Sequence, residues 1–102
     1  MGTLGISHFL FLSATLFIIG MMGVLIRRNI LIIFMCVELM VNAVNLSLVA
    51  FARESNTLQG QAFALFAVAI AAAEAAVGLA IIMALSRRMA AVDVDEMREL
   101  RD

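Results

Sequence analysis

The sequence predicts an all-α membrane protein of three transmembrane helices, and three observations carry that prediction. Of 102 residues, 65% are hydrophobic and the mean hydropathy is +1.10, more apolar surface than a soluble domain of this length could keep out of water. About 20 apolar residues cross the ~30 Å hydrocarbon core of a bilayer, and the chain holds three such stretches. Residues 2–26 carry no formal charge, 29–52 carry only Glu38, and 55–86 carry only Glu74. Because the polar segments between them are short, the spans are expected to form an antiparallel up-down bundle, a single membrane domain over residues 1–102.

The first span is expected over about residues 8–26. It ends at Arg27-Arg28-Asn29, a turn so short that the second span, about 30–51, must return beside it. Arg53, Glu54, Ser55, Asn56 and Gly60 mark a loop over 52–60, and the third span follows over about 61–85. Arg87 and Arg88 close the membrane part and leave a short tail, 86–102, of mixed charge. In that tail Val94, Met97 and Leu100 at i, i+3 and i+6 predict an amphipathic turn or two on a protein surface. With three spans, Arg27, Arg28, Arg87 and Arg88 share one side, against only Arg53 near the helix ends opposite. The positive-inside rule makes that side cytoplasmic, with the N-terminus outside and the C-terminus inside. The first span has no basic region before it and no small-residue cleavage site after it, and reads as a retained helix instead of a signal peptide.

Composition removes several classes of function. All seven basic residues are Arg and the net charge is −1, so there is no basic patch for nucleic acid. The one cysteine, Cys36, lies inside a hydrophobic run and can build neither a disulfide framework nor a cysteine metal site by itself. No phosphate-binding glycine loop, nucleophile with a base, or metal-ligand spacing is present. No residue is therefore assigned to a cofactor or a metal, and the isolated chain is expected to catalyse nothing.

What remains is Glu38 and Glu74. A carboxyl at the middle of a membrane helix costs about 2.5–3.5 kcal/mol on the insertion scale, against a gain of about 0.3–0.6 for each Leu, Ile, Phe or Val. The spans insert despite their acids, yet a Leu would insert better, which points to a function for each acid beyond folding. Glu38 is ten residues past Arg28 and Glu74 thirteen before Arg87, which puts them about 15 and 20 Å from the cytoplasmic flank, near the bilayer midplane. Leaving water favours the neutral form of a carboxyl in general, and a group that exchanges a proton inside the membrane is what a proton relay requires.

Around these acids the sequence is patterned. Glu38, Asn42 and Asn45 fall at i, i+4 and i+7, a polar stripe that should face protein or water and not lipid. For the asparagines, interhelical hydrogen bonding and water ordering are equally good accounts. The run Ala71-Ala72-Ala73-Glu74-Ala75-Ala76, with Gly78 one turn on, lets neighbouring backbones approach closely, and Gly20 and Gly23 offer the same on the first span. His8 reads as an interfacial residue and Cys36 as a small filler. Arg27 and Arg28 are topology anchors first, and a subunit contact second. No Arg or His lies at the depth of the acids, and three helices cannot enclose an aqueous path, so the chain is expected to work inside an assembly.

Three blocks make the sequence more specific. The segments from Gly23 to Asn29, from Met35 to Leu46 and from Ala71 to Ala80, in that order and spacing, closely resemble the K-subunit family of proton-pumping NADH:quinone oxidoreductase, respiratory complex I. The resemblance extends to Val92-Asp93-Val94-Asp95-Glu96 in the tail. It implies a membrane-arm subunit, in a bacterial inner membrane, packed between an antiporter-like subunit and a J-type subunit. It also implies that Glu38 and Glu74 match the family's paired membrane glutamates in the proton relay, and that Arg27 and Arg28 match its cytoplasmic-loop arginines. FMN, iron–sulfur clusters and the quinone would belong to other subunits. Where the family often has Ser, this chain has Cys36, which leaves the glutamate and asparagine stripe intact. The alternatives are a C-type subunit of a multisubunit sodium/proton antiporter and a structural spacer whose acids only fix helix packing.

Overall fold

A computed structural model describes residues 5–101, and these form three helices. Helix α1 runs Ile6–Ile26, α2 Ile30–Ser55 and α3 Leu58–Arg101. All three are long and apolar enough to cross a membrane.

Local chemistry fixes each helix end. At the start of α1 the Gly5 N–H donates to Nδ1 of His8 at 3.2 Å, so the histidine satisfies a donor that the first turn leaves free. Asn29 caps α2, its Oδ1 accepting from the Leu31 N–H at 2.9 Å. Asn56 ends α2 in the left-handed conformation at φ 52°, its N–H bonded to the Ala52 carbonyl, a position that asparagine tolerates better than most residues. Thr57 then starts α3, with its Oγ1 accepting from the Gly60 N–H at 3.1 Å.

The second connection is therefore only Asn56 and Thr57, shorter than the loop expected over 52–60. Arg53, Glu54 and Ser55 are the last turn of α2, and Gly60 belongs to the first turn of α3. Gly60 fits there because a Cβ would lie 2.9 Å from the hydroxyls of both Ser55 and Thr57. Asn56→Gly is expected to keep the midpoint of thermal unfolding in mild detergent, whereas Asn56→Val should lower it, because a β-branched residue costs roughly 1–2 kcal/mol or more in this conformation.

The chain beyond Arg88 also departs from expectation. In place of a separate tail with a turn or two, α3 continues without a break to Arg101. Its 44 residues correspond to about 66 Å of helix, more than twice the hydrocarbon thickness of ~30 Å. The physical reason is in the sequence: after Gly78 there is neither Gly nor Pro, and residues 86–101 are rich in Ala, Met, Arg, Glu and Leu. The hydropathy stops where the membrane stops. The helix propensity does not.

Both α1 and α3 pack on α2, and among the described residues they make no contact with each other. The arrangement is a row with α2 in the middle, not a closed bundle. Along the α1–α2 seam Ser13 meets Ala43 and Ser47, while a Cβ on Gly20 would strike Met40 and Cys36. Along the α2–α3 seam Phe34 lies against Gly78 and Ala52 against Gly60. In each seam the partner's number falls as the helix's own number rises. Two faces of α2 are used, that of Cys36, Met40, Ala43 and Ser47 and that of Phe34 and Ala52, which 100° per residue sets on opposite sides of the helix.

Among the described residues only small ones are buried: Ser13, Gly20, Ala43, Ala50, Ala52 and Ala64. Large apolar side chains such as Phe11, Leu25, Phe63, Leu65 and Ile70 point outward. A surface of this kind suits lipid or neighbouring membrane helices as its solvent.

Candidate functional site

The site is set by the α2–α3 seam. Phe34 and Glu38 are four residues apart on α2, and Gly78 and Glu74 are four apart on α3, so each acid is about 6 Å along its helix from the Phe34–Gly78 contact. Because the seam numbers run in opposite senses, both displacements lead toward the same end. Glu38 and Glu74 therefore sit at one level. A 60-degree offset separates their exposure: α3 presents Ala64, Ala67, Ala71, Ala75 and Gly78 to the seam, and Glu74 is turned about 60° from that line. Glu38 is half-buried and Glu74 exposed.

Gly78 is what permits the approach. A Cβ at this position would lie 2.7 Å from the Phe34 ring, a separation that would force the ring or the helix aside. The alanines on either side of Glu74 are the small residues that let α2 and α3 come together at this depth.

The asparagines are divided between environments. Asn45 is half-buried and lines a groove with Phe17 and Val24 of α1. Asn42 is exposed, about 40° further round α2 than Glu38. The side-chain hydrogen bonds among the described residues involve His8, Ser13, Thr15, Asn29, Ser47, Ser55 and Thr57. None reaches the acids or the two asparagines. Arg27 and Arg28 are exposed in the α1–α2 connection, a different level from the carboxyls.

Sequence reasoning passed over a second polar cluster. The Ser13 hydroxyl donates to the Ala43 carbonyl and lies 2.6 Å from the Ser47 hydroxyl, while Ser47 itself reaches the same carbonyl at 3.4 Å. Ser13 is the one buried polar side chain among the described residues. The available signal was a serine in the middle of each of two apolar spans, since a hydroxyl in lipid seeks a partner on a facing helix. Cys36 is half-buried on the same seam, its Sγ against Gly23 and its carbonyl against Gly20. It fills space there, and no group of three or more metal-ligating side chains occurs among the described residues.

Three apolar helices with a carboxyl on each of two facing spans define a multi-pass membrane subunit with ionisable groups inside the bilayer. Residues 8–102 match the family described as NADH-ubiquinone/plastoquinone oxidoreductase chain 4L, and the chain belongs to that family. It is 66% identical over 102 residues to NADH-quinone oxidoreductase subunit K of Thermomicrobium roseum, covering 100% of both chains. The subunit K proteins of Anaeromyxobacter sp. strain K and Flavobacterium johnsoniae are 54% and 48% identical, over 95% and 96% of this chain and 98% and 92% of theirs. The chain is thus a subunit of an NADH-quinone oxidoreductase, the respiratory complex I type, and a multi-pass inner-membrane protein.

Proposed function

We propose that this subunit carries Glu38 and Glu74 as a proton-exchanging pair in the membrane arm of a proton-pumping NADH:quinone oxidoreductase. The observation that carries the proposal is their common level on facing helices, fixed by the Phe34–Gly78 contact. Two acids at one depth can pass a proton sideways, along the membrane plane, through intervening water or a neighbour's side chain. In this proposal redox chemistry stays elsewhere, with FMN, the iron–sulfur clusters and the quinone on other subunits.

Glu74 and Asn42 are both exposed and so open to partner subunits, an antiporter-like subunit and a J-type subunit in this proposal, and these supply any cation that pairs with an ionised carboxylate. The opposite numbering along both seams supports an antiparallel, up-down course. That course gathers Arg27, Arg28, Arg87 and Arg88 at one end, which supports a cytoplasmic C-terminus and an outside N-terminus. Membership of the chain 4L family over residues 8–102 favours the oxidoreductase over a C-type antiporter subunit.

Relocating the acid tests the proposal against a spacer role. Asn42 is exposed on the edge next to Glu38, whereas Met40 is turned to α1, against Gly20. A Glu38→Gln, Asn42→Glu variant is expected to keep partial proton pumping in inverted membrane vesicles, and a Glu38→Gln, Met40→Glu variant little, with equal amounts of intact complex in both. Equal pumping from the two would remove the Glu38 face of α2 from the proton path.

A further inference from the structure

Far from the carboxyls, at the end where α2 and α3 are joined, the two helices leave a groove of about 370 Å³. Val49, Ala52, Ala64, Leu65 and Val68 form its walls, and Arg53, Asn56 and Gln61 stand at one end of it. The polar end is at the helix connection, at the membrane surface. Val68 is eleven residues past Thr57, about 16 Å deeper, half-way into the hydrocarbon. A groove that is cationic at the surface and apolar with depth has the layout of an anionic phospholipid.

Arg53 is the only basic residue between Arg28 and Arg87. Its guanidinium lies 5.9 Å from the centroid of the Phe9 ring, so α1 helps to hold it in place. The neighbouring Glu54 lines a separate groove with Gly5, Ile6 and Phe9, to which Arg53 also contributes. The planar guanidinium fork matches phosphate oxygens, while the amides of Asn56 and Gln61 add donors for the glycerol and ester oxygens. We propose that this groove binds one anionic phospholipid, its phosphate on Arg53 and one acyl chain along Val49, Leu65 and Val68. The site is independent of the proton path.

The test uses the intact complex in phosphatidylethanolamine vesicles containing a minor share of phosphatidylglycerol with a diazirine in one acyl chain. After illumination, peptide mass spectrometry is expected to find the label on Leu65 or Val68. A phosphatidylcholine probe with the same diazirine should label these residues several-fold less. Arg53→Gln should reduce the anionic label to the phosphatidylcholine level, Arg53→Lys should retain part of it, and Val68→Trp should exclude the chain while leaving Arg53 in place. Absence of label from the groove in the wild-type complex would overturn the proposal, as would equal labelling by the two probes. A photoreactive residue introduced at Leu65 that crosslinks to a helix of another subunit, and not to lipid, would also overturn it. If Arg53→Gln fails to assemble, the comparison of the two probes on the wild-type complex decides by itself.

Discussion

Replacing Glu74 or Glu38 by Gln is expected to leave the complex assembled and to lower its proton-coupled quinone reduction on the order of tenfold or more, the scale of a lost proton-transfer group. Gln keeps the volume and the hydrogen-bonding atoms of the acid and removes only its titratable proton. Assembly should survive because neither acid makes a hydrogen bond within the described chain, and a neutral amide is easier to keep in lipid than a charge. The measurement has two arms on the same membranes. NADH oxidation by an artificial acceptor that takes electrons before the membrane arm should be unchanged, and quinone reduction and pumping should fall together. Loss of the first activity too would mean failed assembly, and normal pumping in both variants would make the acids structural.

The spans were legible because hydropathy reports directly on the membrane, and Glu38 and Glu74 because each is the single charge in its span. Helix ends were less legible. The residues read as a loop, Arg53 to Ser55, are helical because the chain reverses through one left-handed asparagine, and the tail is helical because nothing in it breaks a helix. Neither feature changes hydropathy. The row arrangement was hidden for another reason: which small residues face which neighbour is a matter of pairing, and a single sequence gives the faces of α2 but not their partners. Asn42 and Asn45 show the same limit. Their i, i+3 spacing places them within about 60° of each other, yet one is exposed and the other half-buried.

The second large effect is expected at Gly20, and the comparison with Gly78 separates a rigid contact from a yielding one. A Cβ on Gly20 would lie 2.7 Å from the Cys36 carbonyl oxygen and 2.7 Å from Cγ of Met40. The Met side chain can move. The carbonyl belongs to the backbone of α2 and cannot move without shifting the helix, so Gly20→Ala must push α1 outward and loosen the Ser13–Ser47 contact two turns away. Overpacking of this kind costs about 1–3 kcal/mol, and Gly20→Val should cost more. At Gly78 the obstacle is the Phe34 ring alone, at 2.7 Å. Gly78→Ala should therefore be rescued by Phe34→Leu, which opens the space, whereas Gly20→Ala should not be rescued by Met40→Ala. Gly5→Ala, with nothing within 4 Å, is the neutral control. The amount of intact complex retained in the membrane after mild heating measures all six variants. Rescue of Gly20→Ala by Met40→Ala would mean that the α1–α2 distance is set by side chains, and the close backbone approach at Cys36 would no longer explain the glycine.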